Sequence, residues 1–150
     1  TDCDDAEHTI FLKYRIKSIV DKTYKWTFKL NNFHDSPMYF GIISGYSEEA
    51  LTSDGTIMAH HEPNYMVSNL GQRMVDGARH LYPIGVNLEK GAEISLTLNL
   101  KRAEFLFRER DETDIILFKN IERRKDIEYI FFLQMQNEFD SVTLLDFITS

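Results

Sequence analysis

Three adjacent side chains in the middle of the sequence, His60, His61 and Glu62, are of types that bind metal ions or transfer protons. Zinc sites, however, usually place several residues between their histidines, and adjacent residues on an extended strand point to opposite faces. The other candidates, His34 and His80, could join them only through folding. We therefore interpret these histidines as ordinary loop residues, and we predict neither a metal ion nor a cofactor.

Nucleophilic and acid–base catalysis also find little support in the sequence. It contains no Gly-x-Ser-x-Gly motif and no glycine-rich phosphate loop. Cys3 lies in an acidic segment at the start of the sequence, where an activating histidine is hard to hold in place. A glycosidase requires two carboxylates in one cleft, and most of the carboxylates here fall at turns or at outward strand positions. We predict that the protein is not an enzyme.

Length and composition narrow the classes of protein further. A chain of 150 residues fits one domain, and we expect residues 9–150 to form it, with residues 1–8 disordered. The net charge of −7 argues against nucleic-acid binding, which requires clustered basic residues. One cysteine cannot form an internal disulfide, so we expect an intracellular location, cytoplasmic or nuclear. No apolar run approaches the roughly 18 residues of a membrane span, so we expect no membrane partner.

Alternation of apolar and polar residues along the chain predicts an all-β fold. Residues 24–30 (YKWTFKL) place four apolar side chains on one face and lysine and threonine on the other, and residues 93–100 repeat this pattern. Residues 45–64 form the longest connection, and Gly41 inside an apolar run indicates a bulge or close backbone packing. We predict an antiparallel two-sheet β-sandwich, with strands at residues 9–16, 24–30, 38–44, 65–68, 79–82, 93–100, 103–108, 115–119, 129–135 and 142–147.

The order of these strands resembles the SPRY (B30.2-like) family, whose members are bent sandwiches of two antiparallel sheets. The matching segments, in sequence order, are YKWTFKL (24–30), YFGIIS (39–44), YMVSNLG (65–71), EKGAEISLTLNL (89–100), AEFLF (103–107), YIFFLQM (129–135) and SVTLLDF (141–147). The first is similar to the family's tryptophan-containing strand, and the second to its buried strand with a central glycine. The resemblance implies a concanavalin-like jelly roll that binds a protein or a peptide.

The sequence also departs from the family, which makes it a divergent member. The family's acidic residue after the turn glycine is Ala92 here, and an Asn-Gly pair is replaced by Arg-Glu-Arg-Asp at residues 108–111. A Trp-Gly pair expected after Gly71 is missing. These residues help to shape the peptide pocket in other members. Residues 24–33 (YKWTFKLNNF) also resemble the opening of a MATH/TRAF-like domain, another sandwich with a peptide groove.

Binding residues are expected on loops, because a rigid scaffold tolerates variation there and not in its core. Tyrosine and arginine are preferred because they dominate interface hot spots. The resemblance adds that Tyr65 matches, loosely, a tyrosine on the peptide surface of SPRY domains. The candidates lie on the long connection and its exit, on the middle connection and on a charged hairpin tip: His60, His61, Glu62, Asn64, Tyr65, Arg73, Tyr82, Arg108 and Arg110.

The predicted function is a non-catalytic module that presents surface loops to a protein or peptide partner, as an adaptor within a larger protein or complex. Two alternatives remain open. A structural subunit of an assembly would expose a large apolar face, which residues 129–135 permit because they are apolar on both sides. A carbohydrate-binding sandwich would combine an Asn/Asp metal cluster with an exposed aromatic residue.

Overall fold

The structure, a computed structural model, describes residues 8–32, 38–44, 63–76, 78–79, 84–86, 88–110, 112–135 and 140–150. Within these ranges the chain forms eleven β-strands, and no helix that could cross a membrane is present. The strands are β1 (His8–Lys17), β2 (Thr23–Asn32), β3 (Tyr39–Ser44), β4 (Asn64–Ser68), β5 (Arg73–Val75), β6 (Ala78–Arg79), β7 (Glu93–Asn99), β8 (Glu104–Glu109), β9 (Ile115–Phe118), β10 (Glu128–Met135) and β11 (Ser141–Thr149).

The described strands form two antiparallel sheets that pack face to face. The six-stranded sheet has the order β1-β10-β3-β4-β5-β6, and the five-stranded sheet has the order β11-β2-β7-β8-β9. Alternation in β2 and β7 buries one side chain in two against the opposite sheet, while the intervening side chains lie on the outer face. The predicted fold class, an all-β sandwich of two antiparallel sheets, is confirmed.

Aromatic side chains join the two sheets. Trp26 of β2 stacks on Phe131 of β10 with ring centroids 4.6 Å apart, and Phe28 meets Phe40 of β3 edge to face at 5.4 Å. Phe147 of β11 stacks on Trp26 at 5.5 Å and is itself met by Tyr14 of β1 at 5.3 Å, which brings the two sheets together along that edge. Offset and edge-to-face pairs of this kind add to the hydrophobic burial that holds the sheets together. These aromatic side chains fill the described part of the space between the two sheets.

Strand β10 buries both of its faces. Phe131 and its alternate neighbours point into the core, whereas Ile130 and Phe132 form a second buried cluster with Ile43 and Met66. Phe132 has no exposed surface and Ile130 is 2% exposed. The exposed apolar face that the assembly-subunit alternative requires is therefore not present on this strand.

The middle of the chain differs from the sequence-based expectation. Residues 69–76 were expected to form a connection, but they include strand β5, which follows a tight turn. In that turn the Ser68 hydroxyl oxygen accepts hydrogen bonds from the N–H groups of Leu70 and Gln72, at 3.2 and 3.1 Å. A three-residue strand is too short to show an alternating pattern. At the start of the chain His8 belongs to β1, and residues 1–7 lie outside the described ranges, as does most of the long connection.

Candidate functional site

A groove of about 450 Å³ lies at one edge of the sandwich, where β4 and β5 of the six-stranded sheet face β9 of the other sheet. We call it the edge groove. Tyr65, Arg73 and Val75 line its first wall, and residues 116–120 line the second. In β5, Val75 pairs with Tyr65 and Arg73 pairs with Val67, so these side chains share the face that looks toward the five-stranded sheet.

Tyr65 lies at the base of the edge groove and is held there by hydrogen bonds. Its hydroxyl oxygen accepts a hydrogen bond from the Glu122 N–H at 3.1 Å, and the Tyr129 hydroxyl donates to the Glu122 carbonyl at 2.7 Å. Its ring lies 5.4 Å from that of Phe118. Burial raises the pKa of the Tyr65 phenol above its ordinary value of 10.0, so the group is neutral at physiological pH. The tyrosine thus offers an apolar ring to the groove.

Arg73 connects the two walls of the edge groove. Its Nη1 donates a hydrogen bond to the Leu117 carbonyl oxygen at 3.0 Å, which links β5 to β9. The side chain is only partly buried, and its guanidinium carries hydrogen-bond donors in a planar fork. Arg73 therefore fixes the spacing of the walls and adds a positive charge to an otherwise mainly apolar lining.

The second wall ends in an exposed apolar side chain and a polar turn. In β9, Leu117 and Phe118 are buried, whereas Ile116 is 40% exposed. Lys119 and Asn120 follow and are exposed, and Asn120 has a φ of 57°, in the left-handed region that asparagine tolerates better than most residues. The edge groove therefore offers aromatic rings at its base, isoleucine at its rim and a lysine at one end.

A second concave surface lies on the outer face of the five-stranded sheet. This outer cleft, of about 490 Å³, is lined by Lys25, Thr27, Glu93, Ser95, Arg108 and Arg110. The hydroxyl groups of Thr27 and Ser95 lie 3.1 Å apart at its centre. Its lining consists of charged and hydroxyl side chains, whereas that of the edge groove is mainly apolar.

The structure divides the predicted binding residues between these two surfaces. Tyr65 and Arg73 meet in the edge groove, and Arg108 and Arg110 meet in the outer cleft. Tyr65 and Arg108 lie on strands, within the predicted strands at residues 65–68 and 103–108, and Arg110 lies in a turn. Arg73, which was expected on a connection, lies on strand β5. Strand residues line most of the described part of both surfaces, and the turn residues Arg110, Lys119 and Asn120 complete them.

Asn64 lines neither surface. Asn64 has no exposed area, and its N–H donates to a carboxylate oxygen of Asp76 at 2.7 Å. Its place is therefore beneath the surface, next to Tyr65, where it helps to anchor the start of β4. The other candidates, His60, His61, Glu62 and Tyr82, lie outside the described residues.

Sequence reasoning missed the second wall of the edge groove. The segment around Ile116 was interpreted only as a short apolar strand. A signal was present, because residues 115–118 (IILF) are apolar at both alternating positions, and a strand with one face in the core exposes the other. The pairing of this wall with Tyr65 and Arg73 had no sequence signal, since those residues are distant along the chain.

The described residues contain no group of three or more His, Cys, Asp or Glu side chains placed to hold a metal ion. The pKa shifts fall on tyrosines: burial raises the pKa of Tyr24, Tyr65 and Tyr129. These phenols are packed in the core or hydrogen-bonded to the backbone, so their raised pKa values reflect their burial.

Solved structures with a similar fold include SPRY domains and a lectin-type domain. The SPRY domain of human HERC1 matches with a TM-score of 0.68 and 10% sequence identity, covering 93% of this chain and 82% of that one. The PSpry domain of TRIM65 matches with a TM-score of 0.60 and 10% identity, over 92% and 70% of the two chains. The potassium-bound carbohydrate recognition domain of Emp46p has a TM-score of 0.59 and 12% identity, over 97% and 78%.

At these identities the structural likeness establishes the fold alone. No family model matches the sequence, and no curated protein is similar to it. The chain has a SPRY-like sandwich fold, as the order of its strand motifs predicted.

Proposed function

We propose that this SPRY-like sandwich is a non-catalytic binding module that holds a peptide segment of a protein partner in the edge groove. The observation that carries the proposal is the composition of that groove, in which aromatic rings, an exposed isoleucine and two cations converge. Tyrosine and arginine are enriched at the residues that dominate binding energy, and a concave, mainly apolar site with few polar groups is typical of ligand pockets.

The lining favours a peptide with an apolar side chain next to an acidic one. The apolar side chain would pack between Ile116 and the rings of Tyr65 and Phe118, where it removes apolar surface from water. The carboxylate would pair with Arg73 or Lys119, because a guanidinium binds carboxylates with favourable geometry. We include in the proposal an adaptor role inside the cell, which is supported by the single cysteine of the sequence.

A panning experiment with a displayed random-peptide library tests this proposal. The baits are the wild-type protein, Ile116→Asp and the matched control Ile148→Asp, which changes an isoleucine of similar exposure, 48% against 40%, on the opposite edge strand of the same sheet. Circular dichroism first establishes that all three fold alike. We expect the wild type and the control to enrich the same apolar–acidic peptides, and Ile116→Asp to lose them. Enrichment of one peptide set by all three baits, or of none by the wild type, would refute the proposal.

Carbohydrate recognition is the second candidate function. The fold likeness to the Emp46p carbohydrate recognition domain supports it, as does the hydroxyl-bearing outer cleft. A glycan array probed with the wild-type protein and with a Thr27→Ala/Ser95→Ala variant separates the candidates. Binding to a neutral glycan that the variant loses would favour carbohydrate recognition over peptide binding.

A further inference from the structure

The outer cleft concentrates positive charge in a protein that is negative as a whole. The net charge of the sequence is −7, yet the six described residues that line this cleft include three cations, Lys25, Arg108 and Arg110, and one acid, Glu93. A local excess of charge opposite to the protein's net charge steers partners of complementary sign to one place on the surface.

Strand register explains why these side chains converge. Thr27 of β2 pairs with Ser95 of β7, and Ser95 pairs with Arg108 of β8, so the three lie in one row across the outer face. Lys25 lies two residues before Thr27 on the same face of β2, and Arg110, in the turn after β8 with a φ of 49°, lines the same cleft. Alternate residues on a strand are about 7 Å apart, and strands separated by one neighbour are roughly 10 Å apart. The cations therefore surround the Thr27–Ser95 hydroxyl pair.

Only part of this positive charge is neutralised by described residues. Arg108 Nε lies 3.5 Å from a carboxylate oxygen of Asp114, but both side chains are solvent-exposed to a third or more, so the pair is weak. Neither Lys25 nor Arg110 forms an ion pair with any residue in the described ranges. Arg110 is instead anchored through its backbone, since its N–H donates to the Glu93 carbonyl at 3.0 Å.

We propose that the outer cleft binds an acidic, extended peptide segment of a partner protein. Charge complementarity selects the chemistry, because arginine binds carboxylates through two parallel hydrogen bonds. Geometry selects the extended form: an extended peptide repeats its side chains every second residue at about 7 Å, which is also the spacing of alternate strand residues such as Lys25 and Thr27 of β2. Acidic side chains of such a peptide can then meet the cations of the cleft while the hydroxyls of Thr27 and Ser95 bond to polar groups between them.

Fluorescence anisotropy with a labelled synthetic peptide of alternating glutamate and serine tests the proposal. The variant Lys25→Glu/Arg110→Glu reverses two of the cations and keeps Arg108 with its Asp114 pair. The matched control, Lys101→Glu/Arg102→Glu, makes the same change in net charge in the turn at the other end of β7 and β8. Charges exposed in that turn should affect the cleft little, because salt screens exposed charges that lie farther apart than the Debye length, which is about 8 Å at physiological salt.

The peptide should bind the wild type and the control alike, within about twofold, and bind the cleft variant on the order of tenfold more weakly or worse. Binding should weaken as salt is added, and Ile116→Asp should leave it unchanged, since the edge groove is a separate surface. Equal loss in both charge variants, or no binding to the wild type, would overturn the proposal. So would tight binding of a heparin-derived oligosaccharide with none of the peptide, because the cleft would then recognise an anionic glycan.

Discussion

Two phenol groups, those of Tyr65 and Tyr129, meet at the backbone of Glu122 beneath the edge groove. The Glu122 N–H donates to the Tyr65 oxygen, and the Glu122 carbonyl accepts from the Tyr129 hydroxyl, a bond that Tyr129 would lose on ionisation. Tyr129 has no exposed surface, and burial raises its pKa far above the ordinary value of 10.0. These phenols therefore position the base of the groove.

The free energy of unfolding at alkaline pH should depend on these buried tyrosines. In the unfolded chain tyrosine ionises near pH 10, whereas burial raises the pKa of Tyr65 and Tyr129 in the folded protein. Above pH 10 the unfolded state loses protons that the folded state keeps, so the free energy of unfolding falls as the pH rises. We expect Tyr129→Phe to lessen this fall by about 1.4 kcal/mol per pH unit. Urea unfolding of the wild type and of Tyr129→Phe, at pH values below and above 10, measures this effect. The same change of unfolding free energy with pH in both proteins would contradict the prediction.

Gly41 sets the distance between β3 and β4. A Cβ at this position would overlap the Tyr65 carbonyl oxygen and lie 2.7 Å from Met66 Cα, both of them backbone atoms that cannot move aside cheaply. Gly41→Ala should therefore lower the free energy of unfolding by roughly 3 kcal/mol. Gly85→Ala is the matched control, because no atom lies within 4 Å of its Cβ position, and it should change stability by less than about 0.5 kcal/mol. Chemical denaturation measures both, and similar losses would show that the contact is not the cause.

At the residue scale, sequence reasoning found some of this chemistry and missed the rest. It predicted a bulge or close backbone packing at Gly41, because glycine inside an apolar strand often marks one or the other, and the structure shows the close packing. It selected Tyr65 for binding, but not the hydrogen bonds that hold the phenol. Those bonds involve the backbone of Glu122, whose position near Tyr65 depends on the whole chain path.

Hydrogen bonds and an ion pair connect the loop between β9 and β10 to the turn that joins β1 to β2. Arg123 donates from Nε to the Ser18 carbonyl and from Nη2 to the Ile19 carbonyl, both at 2.7 Å, and forms an ion pair with Asp21 at 2.6 Å. The Ser18 hydroxyl in turn donates a hydrogen bond to the Arg124 carbonyl and accepts one from the Arg124 N–H. The charged segment at residues 122–126 thus contains one structural arginine beside a solvated one.

Substitution of these adjacent arginines should have unequal effects. Arg123→Ala removes charge-assisted hydrogen bonds to two carbonyls of the turn, and we expect it to cost roughly 2 kcal/mol of unfolding free energy. Among the described residues the Arg124 side chain forms only exposed ion pairs, with Glu122 and Asp126, and alanine keeps the backbone bonds to Ser18, so Arg124→Ala should cost less than about 0.5 kcal/mol. Thermal denaturation of the two variants in parallel gives the comparison. Equal destabilisation would show that the turn is not held by Arg123.

Elements with a repeating pattern could be predicted from the sequence, and short elements could not. Strands β2 and β7 alternate over seven or more residues, so the sequence identifies both the strand and its buried face. Strands β5 and β6 have three and two residues, and their pairing depends on β4 beside them. Because β5 carries Arg73 into the edge groove, the missed strand left Arg73 assigned to a connection.

The whole molecule is a SPRY-like sandwich whose surfaces are assembled from distant parts of the chain. The class of fold follows from alternation and strand order, which are local features of the sequence. The edge groove follows from strand order within each sheet and from the packing of the sheets, which bring Tyr65 next to Phe118 and Arg73 next to Leu117. No local pattern encodes those contacts, so the site could be completed only from the structure.

Chemical-shift mapping by NMR tests whether the edge groove binds a peptide. A peptide selected by the displayed library is added stepwise to ¹⁵N-labelled protein. We expect the perturbed amides to cluster at Tyr65, at Arg73 and in the segment from Ile116 to Asn120, and β11 on the opposite edge of the five-stranded sheet to stay unperturbed. Perturbations that cluster on β11 or around the outer cleft, with the groove unchanged, would contradict it.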